Sequence, residues 1–186
     1  MLAEANYNWS EIRRGLDRFM LFVILVLFVL GLVSIYSAGA GVRRLAAPYA
    51  VRQLAWGGVS IVAYIVVIRV GYQNFLRWSY SIYAVVIGVL VVLLVLGTAS
   101  RGAQSWFRFG AVSFQPAELG KVALILFLSR FCTRYQPDNL KSLSFALILS
   151  GLSVALILLQ PDLGSALVYG SIIFAVLTVA GTPGKY

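Results

Sequence analysis

Arg101, Arg108, Glu118 and Lys121 crowd the start of a strongly apolar run in residues 97–131, GTASRGAQSWFRFGAVSFQPAELGKVALILFLSRF. Downstream, another apolar stretch ends in Gln160-Pro161-Asp162-Leu163-Gly164. Charge at or inside a membrane span is costly, because hydrocarbon does not solvate it. Such residues are functional candidates with a partner to be named. Lys121 and Asp162 are the pair to name. An acid–base pair in a bundle either clips two helices together or lines a polar cavity, and both readings stay open. Arg101 and Arg108 are candidates for phosphate contact, although lone loop arginines are more often simply solvated.

The elements that must position these residues follow from composition. Of the 186 residues, 61% are hydrophobic, against about 45–50% apolar in soluble domains. The excess is gathered into runs, which is the membrane signature. The sequence predicts an all-α polytopic bundle with about six spans, at 19–36, 50–68, 79–97, 116–131, 143–160 and 165–181. Residues 1–18 form a polar N-terminal segment, and 19–186 form the membrane domain. The first span reads as an uncleaved signal anchor, too long for a signal-peptide core. The fourth is short and carries Glu118 and Lys121, so it belongs inside the bundle.

Arg13, Arg14, Arg18, Arg69, Arg77, Arg130, Arg134, Lys141 and Lys185 fall on one side of these spans. Only Arg43, Arg44, Arg52, Arg101 and Arg108 fall on the other. The positive-inside bias predicts a cytoplasmic N-terminus. The net charge of +9 lies mostly in short loops, which points to anionic headgroups and not to nucleic acid. Tyr72, Trp78, Tyr80, Tyr83, Trp106 and Phe107 sit near expected span ends, as interfacial belts do. There is no His and a single Cys, Cys132. That excludes an intramolecular disulfide, a Cys/His zinc site and a His-based triad. No cofactor is expected, and a divalent-metal requirement is left open.

Topology brings Lys121 and Asp162 together. The fourth span starts on the outer side near Pro116, so Lys121 lies about 7 Å in. The fifth span emerges on that same side near Pro161. Pro116 suits a first helical turn. Glu118 then meets the positive end of the helix dipole and shares a face with Lys121, which makes it a rival partner.

These residues also carry a resemblance. GLVSIYSAGAG at 31–41, the stretch from Arg101 to Glu118 with its FQPAE core, Lys121, and QPDLGS at 160–165 resemble the SEDS family (shape, elongation, division and sporulation), its RodA-like branch in particular. The resemblance covers 19–186. It implies a bacterial inner-membrane glycosyltransferase that polymerises lipid II into peptidoglycan, in cell-wall elongation and shape maintenance, beside a class B penicillin-binding protein. The matched Lys121 and Asp162 would be the interhelical pair lining a central cavity. Glu118, Arg101, Arg108, Gln115 and Gln160 are further cavity or substrate-binding candidates. Ala117 and Ser105 stand where family members often have Ser and Arg. The family has about ten spans and an essential acidic residue in a later outer loop. This chain is therefore expected to be the N-terminal part of a polymerase, with no catalytic residue assigned within it, and its status as an enzyme stays open. A lipid-linked precursor flippase and a non-catalytic scaffold for the penicillin-binding protein are the alternatives.

Overall fold

The computed structural model describes residues 18–40, 46–96, 98–100, 103–109 and 112–184. Among them are helices α1 (Arg18–Ala40), α2 (Ala46–Val70), α3 (Tyr72–Leu96), α4 (Pro116–Arg134), α5 (Leu140–Leu159) and α6 (Leu163–Val179). Strands β1 (Thr98–Ser100), β2 (Ala103–Phe109) and β3 (Val112–Phe114) lie between α3 and α4. The described residues form two compact units, one up to Tyr72 and one from Gln73 onward. The N-terminal segment 1–17, Arg43, Arg44, Arg101 and Lys185 lie outside the described residues.

In the first unit α1 packs on α2, with the Phe28 ring filling the space that a Cβ at Gly57 would take. Their large apolar side chains, Phe22, Leu27, Val59 and Ile61 among them, face outward. In water such helices would not stand; in hydrocarbon an apolar surface all round is what the solvent favours. Segments Arg18–Ala38, Tyr49–Val70, Tyr72–Val95 and Leu140–Leu159 are long and apolar enough to cross a membrane, and Leu163–Val179 is a shorter apolar helix.

The second unit has its core on α4. Pro116, Ala117, Gly120, Ala123, Leu124, Phe127, Leu128, Phe131 and Cys132 are buried along it, and it packs on both α5 and α6. The charged entry and short apolar run of this helix thus go with an interior position. α3 joins the core through Tyr83, Leu90 and Leu93. The Tyr83 hydroxyl donates to the Leu149 carbonyl at 2.9 Å. α6 ends in a Schellman turn: Gly181, at φ 86, donates to Thr178, and Thr182 donates to Leu177. Only glycine takes that backbone conformation without strain.

Two expectations are corrected. The stretch expected as a plain outer loop, 98–115, contains a three-stranded antiparallel meander in the order β1-β2-β3. Phe107 pairs with Phe114, Arg108 with Ser113 and Phe109 with Val112. Alternating aromatic and polar residues suit a pleated ribbon, a period that a search for apolar runs overlooks. The third span was expected from residue 79, which put Tyr80 and Tyr83 at its end. The helix starts at Tyr72, so both tyrosines lie inside it. Tyr83 stacks on Phe127 at 4.4 Å between centroids, and Tyr80 meets the same ring edge-on at 5.7 Å. They are packing residues, whereas Tyr72 and Trp78 remain exposed near the helix start.

Candidate functional site

Both sequence motifs arrive at one end of the second unit. Gln115 is extended, Pro116 opens α4, and the Glu118 N–H donates to the Gln115 carbonyl at 3.1 Å. Proline suits that first turn because its missing N–H has no intrahelical partner there. α5 ends at Gln160, and Asp162 is the N-cap of α6. The Asp162 carboxylate accepts the Ser165 N–H at 3.0 Å and the Ser165 hydroxyl at 2.8 Å. Capping in this way satisfies one of the four N–H groups that every helix leaves open at its start, and the negative charge suits the helix dipole.

Gln115 closes the junction. Its side-chain amide donates to Asp162 Oδ2 at 3.0 Å, tying the residue before α4 to the cap of α6. Lys121 does not take that place. Its ammonium pairs with Glu118 one turn earlier on α4, at 2.8 Å. The expected Lys121–Asp162 contact is therefore replaced, for a local reason. Asp162 is already served by Gln115 and Ser165, while Glu118 lies on the same helical face as Lys121. The Lys121–Glu118 pair stays within one helix and so clips nothing together. The Gln115–Asp162 bond, neutral donor to charged acceptor, is by contrast a tie from the start of α4 to the start of α6.

Gln160 lies beneath this junction, fully buried. Its amide donates to the Leu90 carbonyl of α3 at 3.1 Å. The buried Ser105 hydroxyl of β2 approaches the Gln160 main-chain carbonyl at 3.4 Å. The Leu90 bond pairs the amide nitrogen and fixes the end of α5 against α3, while Gln160 Oε1 is buried without a partner among the described residues. In the first turn of α4, the Ala117 carbonyl accepts the Tyr169 hydroxyl of α6 at 2.9 Å. A Cβ at Gly120 would collide with that hydroxyl, so the glycine is what lets α6 approach α4 here.

The structure thus brings together Gln115 and Asp162, sets Gln160 against Ser105 of β2, and places Glu118 and Lys121 on the first turns of α4. Arg108 is in β2, paired through its backbone with Ser113. Arg101 lies outside the described residues. Sequence reasoning missed Ser165 and Tyr169. Asp-x-x-Ser at a helix start is a capping pattern and pointed to the first. Nothing local pointed to the second. Cys132 is buried within α4, and among the described residues no group of three or more potential metal ligands occurs.

A profile of the FtsW/RodA/SpoVE family, described as cell cycle protein, matches residues 17–186. The chain belongs to this family. It is 31% identical over 187 residues to "Probable peptidoglycan glycosyltransferase FtsW" of Thiomicrospira cyclica, covering 96% of this chain and 48% of that protein. A mutant of the rod shape determining protein RodA of Thermus thermophilus superimposes with a TM-score of 0.79 at 29% identity, covering 91% of this chain and 55% of RodA. A chain from a peptidoglycan synthase complex that coordinates polymerization and crosslinking matches with a TM-score of 0.68 at 30% identity, over 85% of this chain and 48% of its own length. The chain spans about half the length of the family members it matches. With this family membership and its apolar helices, the chain is a multi-pass membrane protein of helical fold.

Proposed function

We propose that these residues form part of a peptidoglycan glycosyltransferase that polymerises lipid II, in cell-wall elongation and shape maintenance. The observation that carries this reading is the convergence of the FQPAE and QPDLGS segments, through the Gln115–Asp162 bond, at one end of the second unit, in a chain matched by the family over 17–186. The reaction joins a sugar 4-hydroxyl to an anomeric carbon as lipid pyrophosphate leaves. It needs a proton acceptor for the hydroxyl and positive charge for the pyrophosphate.

This chain's own contribution is positioning and charge. Asp162 holds the start of α6, and its oxygens are engaged by three donor groups. It is a positioning residue in this reading, not the proton acceptor. Lys121 supplies positive charge on the first turns of α4, and Arg101 and Arg108, in the segment that leads into α4, are the further candidates for it. The reading also gives a bacterial cytoplasmic membrane with the N-terminus inside, from the distribution of Lys and Arg. A class B penicillin-binding protein is the partner, supported by likeness to the synthase complex.

The test is synthesis of glycan strands from purified lipid II by the natural gene product together with its partner. A ladder of strands on a gel is the expected outcome. Movement of labelled lipid II across vesicles without strands would replace the reading with a flippase. Partner binding without turnover would replace it with a scaffold.

A further inference from the structure

A cavity of about 400 Å³ lies at the other end of α4, where the chain turns into α5. That is a helix length of about 28 Å from the motif junction. Phe131, Tyr135, Asn139, Lys141, Ser142 and Phe145 line it. The polar groups of the turn are mostly used internally. Asn139 caps α5 by accepting the Ser142 N–H at 2.8 Å, and the Ser142 hydroxyl donates to the Tyr135 carbonyl at 3.2 Å. The Asn139 amide donates to Asp138 at 2.8 Å, and Asp138 is not among the lining residues. What remains for a ligand is an aromatic wall and one cation.

That cation is Lys141, which is exposed and makes no hydrogen bond or ion pair among the described residues. It stands in the first turn of α5, where free N–H groups add the same sign. The neighbouring cations are committed. Arg130 donates to the Leu76 carbonyl at 3.0 Å and lies 5.7 Å from the centre of the Tyr80 ring. Arg134 lies 5.6 Å from the Tyr135 ring. The Arg130 bond brings the α3 turn that also carries Arg77 to this end. This end thus carries Arg77, Arg130, Arg134 and Lys141, and among the described residues the turn carries one acid, Asp138. An aromatic cleft with one uncommitted cation, Lys141, at its edge, in a membrane protein, matches an amphiphile with an apolar chain and an anionic head.

We infer that the α4–α5 cavity binds an anionic glycerophospholipid, with an acyl chain against Phe131, Tyr135 and Phe145 and the phosphate on Lys141. The site is separate from the motif junction and does not depend on the polymerase reading.

The experiment uses the natural gene product in phosphatidylcholine nanodiscs, with a phosphatidylglycerol probe carrying a photoreactive acyl chain. Crosslinks are expected on Tyr135 and Phe145. Yield is expected to fall about fivefold in Lys141→Gln, the change for one basic residue at a headgroup, and to hold in Arg77→Gln. A phosphatidylcholine probe with the same chain is expected to crosslink about fivefold less. Equal yields from the two lipids would mean an ordinary surrounding lipid and overturn the inference. An equal loss in Arg77→Gln would mean diffuse surface charge and overturn it too, as would crosslinks confined to other segments. Lys141 is exposed and Asn139 still caps α5, so the variant keeps its fold, checked by its unfolding temperature.

Discussion

Asp162 shows how a charged residue near a membrane is satisfied without an opposite charge. Its carboxylate takes one N–H and one hydroxyl from Ser165 and one amide N–H from Gln115. Three donors on one carboxylate offset much of the desolvation that a Lys partner would otherwise have to offset. If capping is the main role, the acceptor matters more than the charge. Asp162→Asn keeps an oxygen for the Ser165 N–H, and with the Gln115 amide turned over so that its oxygen accepts from the new NH2, its stability is expected within a few tenths of a kcal/mol of the parent. Asp162→Ala loses the cap and is expected to cost about 1 kcal/mol. Unfolding in detergent micelles measures both. Two variants equally destabilised would give the weight to the charge instead.

At the scale of elements, α4 and α6 meet because one residue has no side chain. Gly120 leaves room for the Tyr169 hydroxyl, which reaches the Ala117 carbonyl. Gly120→Ala must push that hydroxyl aside, leaving a buried donor without its acceptor, at an expected cost of about 1–3 kcal/mol. Tyr169→Phe alone is expected to cost about 1 kcal/mol. The two should not add, because the phenylalanine removes the atom with which the new methyl collides. Denaturant unfolding of the single and double variants measures the coupling, and strict additivity would sink this account. The aromatic layer of Tyr80, Tyr83, Phe127 and Phe131 then fixes α3 against α4 farther along the same helix.

At the scale of the molecule, the ends of α4 differ in chemistry. The end with β2 and β3 carries the Gln115–Asp162 junction, and the end at the turn before α5 is basic and aromatic. If α4 crosses the membrane, these ends lie on opposite faces. In a Cys132→Ala background, a cysteine at Ser113 is expected to react with an impermeant thiol reagent added to spheroplasts. One at Gln136, exposed in the turn, is expected to react only after lysis. The reverse pattern would invert the proposed orientation. Equal labelling of both from outside would mean that α4 does not span.

Hydropathy alone dictates the helices, because an apolar run near 20 residues has few ways to satisfy its backbone in lipid. Pro116 likewise marks the start of a helix from its type alone. The order of the spans also brought the starts of α4 and α6 to one end of the bundle, since alternating spans leave little choice. Which groups meet there depends on packing between the helices. Glu118 and Asp162 were both in reach of Lys121 by topology, and the choice turned on a cap from Ser165 and an amide from Gln115. Packing also decided that Tyr83 is core and that Tyr169 needs Gly120. Hydropathy reports how much surface a residue prefers to hide, and it carries no information on which partner stands across from it within 3 Å.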